Sequence, residues 1–171
     1  MAQNKKKIII IDDVELNRAI LKESFSSEYD IIEAEDGDKG LQKIFENEQD
    51  LQAIFLDVIM PEVDGFSVLQ ELDSKNITKK IPLFIITTEA TDYVIEHSYE
   101  YGVADVIQKP FNMRIIKRRV NNAIELYDAR EKLKNSSNLC NASSSLSSSE
   151  QKYKKALIQI ANIINAIAKE E

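Results

Sequence analysis

Five side chains of this sequence belong to the types that phosphate chemistry uses, and each stands where an apolar run ends. They are Asp12, Asp13, Asp57, Thr87 and Lys109. A carboxylate can attack phosphorus or bind a metal ion, an ammonium neutralises a phosphate oxygen, and a hydroxyl donates a hydrogen bond to one. Asp57 ends an apolar run and precedes turn residues of the Pro and Gly type, so it is the candidate for the reacting group.

Short apolar runs alternate along the chain with segments whose apolar residues recur at helical spacing. The runs predict five strands, at residues 7–11, 29–34, 52–57, 81–87 and 104–108. The periodic segments predict five helices, at residues 14–27, 38–48, 66–75, 90–101 and 112–134. This alternation indicates a parallel sheet with helices on both faces, because each crossover between parallel strands needs a connecting helix. We expect Asp13 to cap the first helix.

The carboxyl ends of parallel strands meet at one edge of a sheet, so these polar side chains are expected to converge there. Three carboxylates, those of Asp12, Asp13 and Asp57, would repel one another on such an apolar edge. A hard divalent cation relieves that repulsion, and oxygen ligands suit Mg²⁺. We expect Asp13 and Asp57 to bind it directly with the backbone carbonyl of Ile59, and Asp12 to act through a bound water.

The predicted edge suits the transfer of a phosphoryl group. With the cation neutralising one phosphate oxygen and the Lys109 ammonium another, Asp57 could attack a phosphoryl donor in line and form an acyl phosphate. Such a transfer depends on positioning and charge more than on acid-base groups, so it needs no neighbouring histidine. The Thr87 hydroxyl could then bind the new phosphoryl oxygens, which would make it a switch element.

Each of these residues alone has a simpler interpretation. Asp12 and Asp13 could form a helix N-cap pair, and Asp57 could belong to a turn. Thr87 is of a common strand type, and Lys109 could be a solvated strand end. Only their combination at successive strand ends favours a functional site.

Residues 5–133 resemble the receiver domain of two-component response regulators. The matching signatures are Ile-Asp12-Asp13, Leu-Asp57-Val-Ile-Met-Pro61 with Gly65 behind it, Ile-Thr87-Thr-Glu-Ala and Gln-Lys109-Pro110-Phe111. In this order and combination they are highly specific. The resemblance implies a doubly wound α/β fold, with a five-stranded parallel sheet in the flavodoxin-like order 2-1-3-4-5 and helices on both faces.

The resemblance gives Asp57 the role of phosphoacceptor, which a histidine kinase or a phosphotransfer protein loads. Mg²⁺ would be held there by Asp12, Asp13, Asp57 and the Ile59 carbonyl. Receivers catalyse their own phosphorylation and slow dephosphorylation but are not usually classed as enzymes. Because Ile59 is bulky and apolar, we expect slow access of attacking water and a long-lived phosphoryl group.

By the same resemblance, Lys109 would contact the phosphoryl group, and its bond to Pro110 is expected to be cis. Thr87 corresponds to the hydroxyl switch, which repacks the face between helices four and five and changes a partner or dimer contact. One departure concerns the aromatic residue that many receivers carry three positions before the lysine. That position is Val106 here, and Tyr101 is the candidate substitute.

Composition argues against several classes of protein. The chain of 171 residues has a formal net charge of −7, which disfavours sequence-independent nucleic-acid binding. No apolar run approaches the ~20 residues that span a bilayer, and the start does not resemble a signal peptide, so we expect a cytoplasmic protein. Cys140 is the only cysteine, and the only histidine, His97, is expected to be exposed; neither predicts a metal or catalytic site.

Composition also divides the chain into segments. We predict a receiver domain at residues 1–134, a Ser/Asn-rich flexible linker at 135–149 and an amphipathic C-terminal helix at 150–171. The apolar stripe of that helix must be buried against a partner. The candidates are the receiver itself, the same helix of a second chain in a homodimer, and an output domain beyond residue 171.

Two other functions remain open at this point. A degenerate receiver would bind partners without phosphorylation, although the complete set of Asp57, Thr87 and Lys109 disfavours it. A Mg²⁺-dependent phosphohydrolase would also use an aspartate nucleophile. That class typically carries the nucleophile on the first strand with a second aspartate two residues later, whereas Asp12 and Asp13 are adjacent.

Overall fold

A computed structural model of the protein describes residues 5–61 and 64–142. Its strands are β1 (Lys7–Ile11), β2 (Asp30–Ala34), β3 (Leu51–Asp57), β4 (Leu83–Thr87) and β5 (Asp105–Gln108). Its helices are α1 (Glu15–Phe25), α2 (Gly37–Asn47), α3 (Gly65–Ser74), α4 (Asp92–Glu100) and α5 (Met113–Ala142). Apart from the end of α5, every predicted boundary lies within two residues of the observed one.

The strands form one five-stranded parallel sheet in the order β2-β1-β3-β4-β5. This confirms the predicted doubly wound α/β fold and its strand order. The chain runs outwards from β1 to β2 and then returns to β3 on the other side of β1. Ligands of such sheets bind outside the carboxyl ends of the strands, at the point where the order reverses. A ligand site is therefore expected at the carboxyl ends of β1 and β3.

Successive residues of β1 face opposite sides of the sheet, and helices cover both sides. Ile9 and Ile11 pack into a cluster with residues of α2 and α3, whereas Ile8 and Ile10 pack with residues of α1 and α5. All four isoleucines are completely buried. A strand that is apolar on both faces can present polar groups only at its ends.

Three phenylalanines fix β3 to its neighbours. The ring centroid of Phe55 lies 5.5 Å from that of Phe25 on α1 and 5.4 Å from that of Phe84 on β4. Aromatic pairs at such distances contribute about 0.5–1.5 kcal/mol each beyond the burial of their surface. The stack thereby holds in place the two strands that end at Asp57 and Thr87.

The start of α1 differs from the prediction that Asp13 caps it. The N-cap residue is Val14, and no side chain caps the helix from that position. Instead the buried carboxylate of Asp12 accepts the Val14 N–H at 2.9 Å, which takes up the first free donor of this turn. The helix is anchored by the buried side chains of Leu21 and Phe25.

The end of α5 also differs from the prediction, which placed it at Lys134. The helix continues to Ala142, so the predicted linker at 135–149 is helical over its first part. Serine and asparagine each cost less than about 0.7 kcal/mol in a helix, and neither Gly nor Pro interrupts this stretch. Ser136 donates its hydroxyl to a carbonyl of the preceding turn. The rest of the linker and the predicted helix at 150–171 lie outside the described residues.

Residues up to Glu131 belong to one compact unit, which contains the sheet and the helices that cover it. α5 continues beyond this unit, and its residues 132–136 are exposed. Over the described ranges, no helix is both long enough and apolar enough to cross a membrane.

Candidate functional site

The register of the sheet brings the candidate site residues to one edge. The last residue of β1 pairs with the residue before Asp57, so Asp12 and Asp57 stand at neighbouring strand ends. Thr87 ends β4, on the other side of β3. Lys109 follows β5, and its backbone N–H donates to the Thr87 carbonyl at 2.8 Å. The ends of β1, β3, β4 and β5 therefore all contribute to this edge.

Lys109 joins two of the carboxylates directly. Its Nζ donates to Asp57 Oδ2 at 2.5 Å and to Asp12 Oδ2 at 2.9 Å. These side chains are nearly inaccessible, with 11% of Lys109, 5% of Asp57 and 0% of Asp12 exposed. Solvent screens a buried ion pair only weakly, so this bridge fixes the two carboxylates relative to each other.

Asp13 completes a group of three carboxylates. One oxygen atom from each of Asp12, Asp13 and Asp57 lies within 4.8 Å of the other two. Asp12 and Asp57 are buried whereas Asp13 is exposed, so the group opens to solvent beside Asp13. Three carboxylates and the single ammonium of Lys109 leave an excess of negative charge at this edge.

The surroundings shift the pKa values of the two bridged groups. Burial raises the pKa of the Asp57 carboxyl, and the Lys109 ammonium and the Ile59 N–H oppose this only in part. Burial acts to lower the pKa of Lys109, but the hydrogen bonds and charges of Asp57 and Asp12 outweigh it, and that pKa is raised. Lys109 thus stays charged, while the ionised form of Asp57 is not fully compensated by its surroundings.

The loop after β3 is held closely against Asp57. The Ile59 N–H donates to Asp57 Oδ1 at 2.9 Å, so each oxygen of this carboxylate has a donor. α3 begins at Gly65, whose N–H donates to the Val58 carbonyl at 3.2 Å. A Cβ atom on Gly65 would lie 2.3 Å from the Asp57 carbonyl oxygen. Only glycine therefore lets α3 start so near the end of β3.

Thr87 is completely buried, and its hydroxyl accepts the Glu89 N–H at 3.0 Å. This bond turns the hydroxyl towards the loop between β4 and α4. The Lys109–Pro110 peptide bond is cis, as the sequence resemblance implies. Val106 stands at the position where many receivers carry an aromatic residue, and it packs partly buried against the cluster that includes residues of α3.

Two residues of α1 that the sequence analysis did not identify also hold Asp12. Asn17 Nδ2 donates to both carboxylate oxygens of Asp12, each at 3.1 Å. Arg18 Nη1 donates to the Asp12 backbone carbonyl at 2.6 Å. Their spacing from Leu21 and Phe25 places both on the inward face of α1, where apolar residues are usual. Polar residues at inward positions are the signal that would have identified them.

His97 is less exposed than predicted, with 30% of its side chain accessible. Its ring centroid lies 4.9 Å from that of Phe66 on α3, 5.4 Å from Tyr93 and 5.2 Å from Tyr101. Residues four apart on a helix share one face, so the His97 ring lies between those of Tyr93 and Tyr101, the residue that follows α4, and His97 contacts Phe66. The Nδ1 atom of His97 also pairs with Glu100 Oε2 at 3.0 Å.

The three carboxylates fit a hard divalent cation. Their donors are oxygen atoms close enough to share one ion, which is the ligand chemistry of Mg²⁺ and Ca²⁺. The two oxygens of Asp12 already accept bonds from Val14, Asn17 and Lys109. Asp57 has one donor on each oxygen, and Asp13 is exposed, so these two have room to bind an ion directly.

A parallel sheet in the order 2-1-3-4-5, with a lysine bridging carboxylates at its edge, defines a receiver-like domain. The family model described as response regulator receiver domain matches residues 8–121. The chain therefore belongs to the response regulator receiver family, which confirms the resemblance seen in its sequence signatures.

Individual relatives differ in how much of their length is matched. The chain is 30% identical to chemotaxis protein CheY1 of Helicobacter pylori (strain J99) over 116 residues, which is 67% of this chain and 93% of that protein. It is 35% identical to transcriptional regulatory protein ResD of Bacillus subtilis (strain 168) over 118 residues, 68% of this chain but 47% of ResD. Among solved structures, the Francisella response regulator 1452 receiver domain has a TM-score of 0.62 at 27% identity, covering 70% of this chain and 97% of that one.

Replacement of Asp57 by asparagine is expected to stabilise the fold when no divalent cation is present. The amide keeps the shape of the side chain, and its oxygen can accept from one of the two donors that now bond to the carboxylate. It removes a charge that is disfavoured first by burial and further by the neighbouring Asp12. We expect the free energy of unfolding at neutral pH to rise by about 1 kcal/mol, because relief of this cost exceeds the loss of the Lys109 bond.

Urea unfolding at a series of pH values measures this effect. Folding raises the pKa of Asp57, so the parent loses stability as the pH rises from the unfolded pKa through the folded one. The difference in the free energy of unfolding between Asp57→Asn and the parent should therefore disappear at acidic pH. Glu23→Gln, at an exposed position of α1, is the control and should behave like the parent. If Asp57→Asn were less stable than the parent at neutral pH, the ionised Asp57 carboxylate would not destabilise the cation-free fold, and the prediction would be wrong.

Proposed function

We propose that this receiver domain is a phosphorylation-dependent switch of a two-component phosphorelay. Asp57 accepts the phosphoryl group from a histidine kinase or a phosphotransfer protein. The observation that carries the proposal is the Lys109 bridge, because it places a positive charge where a phosphoryl group on Asp57 would bring negative charge. Membership of the receiver family supports the same function.

The transfer requires positioning and charge more than acid-base chemistry. One carboxylate oxygen of Asp57 attacks phosphorus, a P–O bond forms, and the P–N bond to the donor imidazole breaks. The electron pair of that bond leaves with the imidazole nitrogen. Lys109 can follow the charge from the carboxylate to a phosphoryl oxygen, while the Ile59 N–H holds the other carboxylate oxygen and limits rotation of the side chain.

Mg²⁺ is the cation we propose for this edge. Asp13, Asp57 and the Ile59 carbonyl would bind it directly, and Asp12 through a water. When bound, the ion would supply neutralisation of the phosphoryl charge. The excess of negative charge that Lys109 leaves uncompensated supports this assignment.

The chemistry of such a receiver is confined to its own aspartate. We therefore propose self-catalysed phosphorylation and slow dephosphorylation, with no separate enzymatic substrate. The proposed partners are the phosphodonor protein and a target that distinguishes the two states, and a cytoplasmic location would suit both. We propose that the protein does not bind nucleic acid or a membrane directly, and its net charge of −7 supports this.

Phosphorylation would be transmitted through the face formed by α4 and α5. To reach a phosphoryl oxygen, the Thr87 side chain would turn its hydroxyl away from the Glu89 N–H that it now accepts, and so free the loop that leads into α4. Val106 carries no ring that could follow this movement. Tyr101, the proposed substitute, belongs to the ring cluster around His97 on α4.

The receiver domain at 1–134 is proposed to pass its state to the segment that follows it. α5 extends as a helix to Ala142, so the helix that ends the receiver leads into the part of the chain in which the amphipathic segment at 150–171 is predicted. A second copy of the chain is the partner to test first, because an apolar helical stripe can pair with itself.

Incubation with acetyl phosphate and Mg²⁺ is expected to phosphorylate Asp57. Intact-protein mass spectrometry should detect one added phosphoryl group on the parent and none on Asp57→Asn. Lys109→Ala should load about a hundredfold more slowly, because one charge that stabilises the transferring group is lost. Chelation of Mg²⁺ should abolish loading, and the exposed-site control Glu23→Gln should load like the parent. A phosphoryl group on Asp57→Asn would mean that another residue is the acceptor.

The lifetime of the phosphoryl group is expected to depend on Ile59. Its side chain is 49% exposed beside Asp57, where it can cover the approach of water. Ile59→Asn replaces this cover by a polar amide, and we expect roughly tenfold faster loss of phosphate. Loss is followed by mass spectrometry after the donor is removed, with Ile59→Val as the apolar control. Equal lifetimes of the asparagine variant and the parent would refute the role of Ile59.

Dimerisation is expected to respond to the state of Asp57. Light scattering with beryllofluoride and Mg²⁺ should show the dimer dissociation constant of the full chain changing by about fivefold or more. Asp57→Asn should not respond, and a chain stopped at Leu133 should lose the response if the C-terminal segment takes part. If the anion binds and the mass of the full chain stays constant, self-association is not the output.

A further inference from the structure

The buried carboxylate of Asp12 is held by four hydrogen bonds. Oδ1 accepts the Val14 N–H at 2.9 Å and Asn17 Nδ2 at 3.1 Å. Oδ2 accepts Asn17 Nδ2 at 3.1 Å and Lys109 Nζ at 2.9 Å. A carboxylate offers about four lone-pair positions. These four bonds therefore occupy both carboxylate oxygens of Asp12 and fix its orientation.

Asn17 is the neutral side chain in this set. A carboxylate only accepts hydrogen bonds, so the NH₂ group of Asn17 must be the part that faces Asp12. The next residue, Arg18, holds the backbone carbonyl of Asp12 at 2.6 Å. Consecutive residues of α1 thus fix both the side chain and the main chain of Asp12. α1 itself is anchored by Leu21 and Phe25, so its packing on the sheet does not depend on the Asn17 amide.

We propose that Asn17 is a positioning residue for the cation site. Its amide holds both carboxylate oxygens of Asp12, and through Asp12 it sets the position of Lys109 and the shape of the three-carboxylate group. This inference rests on the proposed function, because it requires Mg²⁺ at these carboxylates.

Removal of the amide would leave one protein donor on each oxygen of Asp12, from Val14 and Lys109. The carboxylate could then rotate and draw the Lys109 ammonium away from Asp57. Both movements disturb the spacing of the oxygen atoms that now lie within 4.8 Å of one another. Loss of a group that orients a metal ligand typically lowers the affinity for the metal about 10- to 100-fold.

The test is a Mg²⁺ titration of the full-length chain, followed by its melting temperature, which yields an apparent dissociation constant without any phosphorylation. Asn17→Ala and the similarly sized Asn17→Leu are expected to bind Mg²⁺ about tenfold more weakly. Asn17→Gln, which restores an amide, should recover part of that loss. Leu16→Ala on the same turn, where the side chain is 67% exposed, is the matched control. Cation-free melting curves establish that each variant is folded.

A second readout separates positioning from a general loss of structure. At saturating Mg²⁺, Asn17→Ala should load from acetyl phosphate within about threefold of the parent rate, so that the defect lies in the Mg²⁺ concentration required. Asn17 variants with the Mg²⁺ affinity of Leu16→Ala would overturn this inference and leave the proposed function intact. A parent protein that Mg²⁺ does not stabilise at all would overturn both.

Discussion

Three carboxylates meet at the end of a buried sheet, and the cost of burying their charge together is the constraint on which the rest of this structure depends. Lys109 offsets part of it by bridging Asp57 and Asp12. The remaining negative charge costs stability in the cation-free protein, and the same charge makes this edge attractive to a cation. On the proposed function, phosphorylation adds negative charge to Asp57, and a site that fully compensated the unphosphorylated carboxylate would not be arranged for this added charge.

Charged groups that repel one another keep their positions only when the strands that carry them are held rigidly. β1 and β3 are held in this way, because both strands are apolar on both faces and the rings of Phe25, Phe55 and Phe84 join β3 to α1 and β4. A close-packed interior resists small displacements. Adjustment is therefore left to the loops, where backbone N–H groups bond to the Asp57 carboxylate and the Thr87 hydroxyl. These bonds can exchange without disturbing the sheet.

The alternation of strands and helices and the edge at which Asp12, Asp57 and Lys109 meet were predictable, because each depends on a local pattern of apolar runs and their ends. The strand order followed only from the resemblance of the sequence signatures to the receiver family. Contacts between elements could not be predicted from such local patterns. His97 meets a ring of α3 that is distant in sequence. The inward position of Asn17 on α1 is a signal in the sequence, but its bond to Asp12 depends on how α1 packs over the end of β1. The end of α5 was misplaced for another reason: without Gly or Pro, a Ser/Asn-rich stretch gives no firm stop.

α3 connects the site to α4 through direct contacts. Gly65 lies against the main chain of Asp57, its neighbour Phe66 packs on His97, and His97 stacks between rings of α4. A shift at the end of β3 must displace the start of α3, because no side chain at Gly65 separates the two. Val106 offers no ring on the β5 side that could carry a movement to α4. The contacts through Phe66 are therefore one packed connection between the carboxylates and α4, and Val94 of α4 supplies another through the cluster that contains Leu56 and Ile85. The loop that Thr87 holds is a third route.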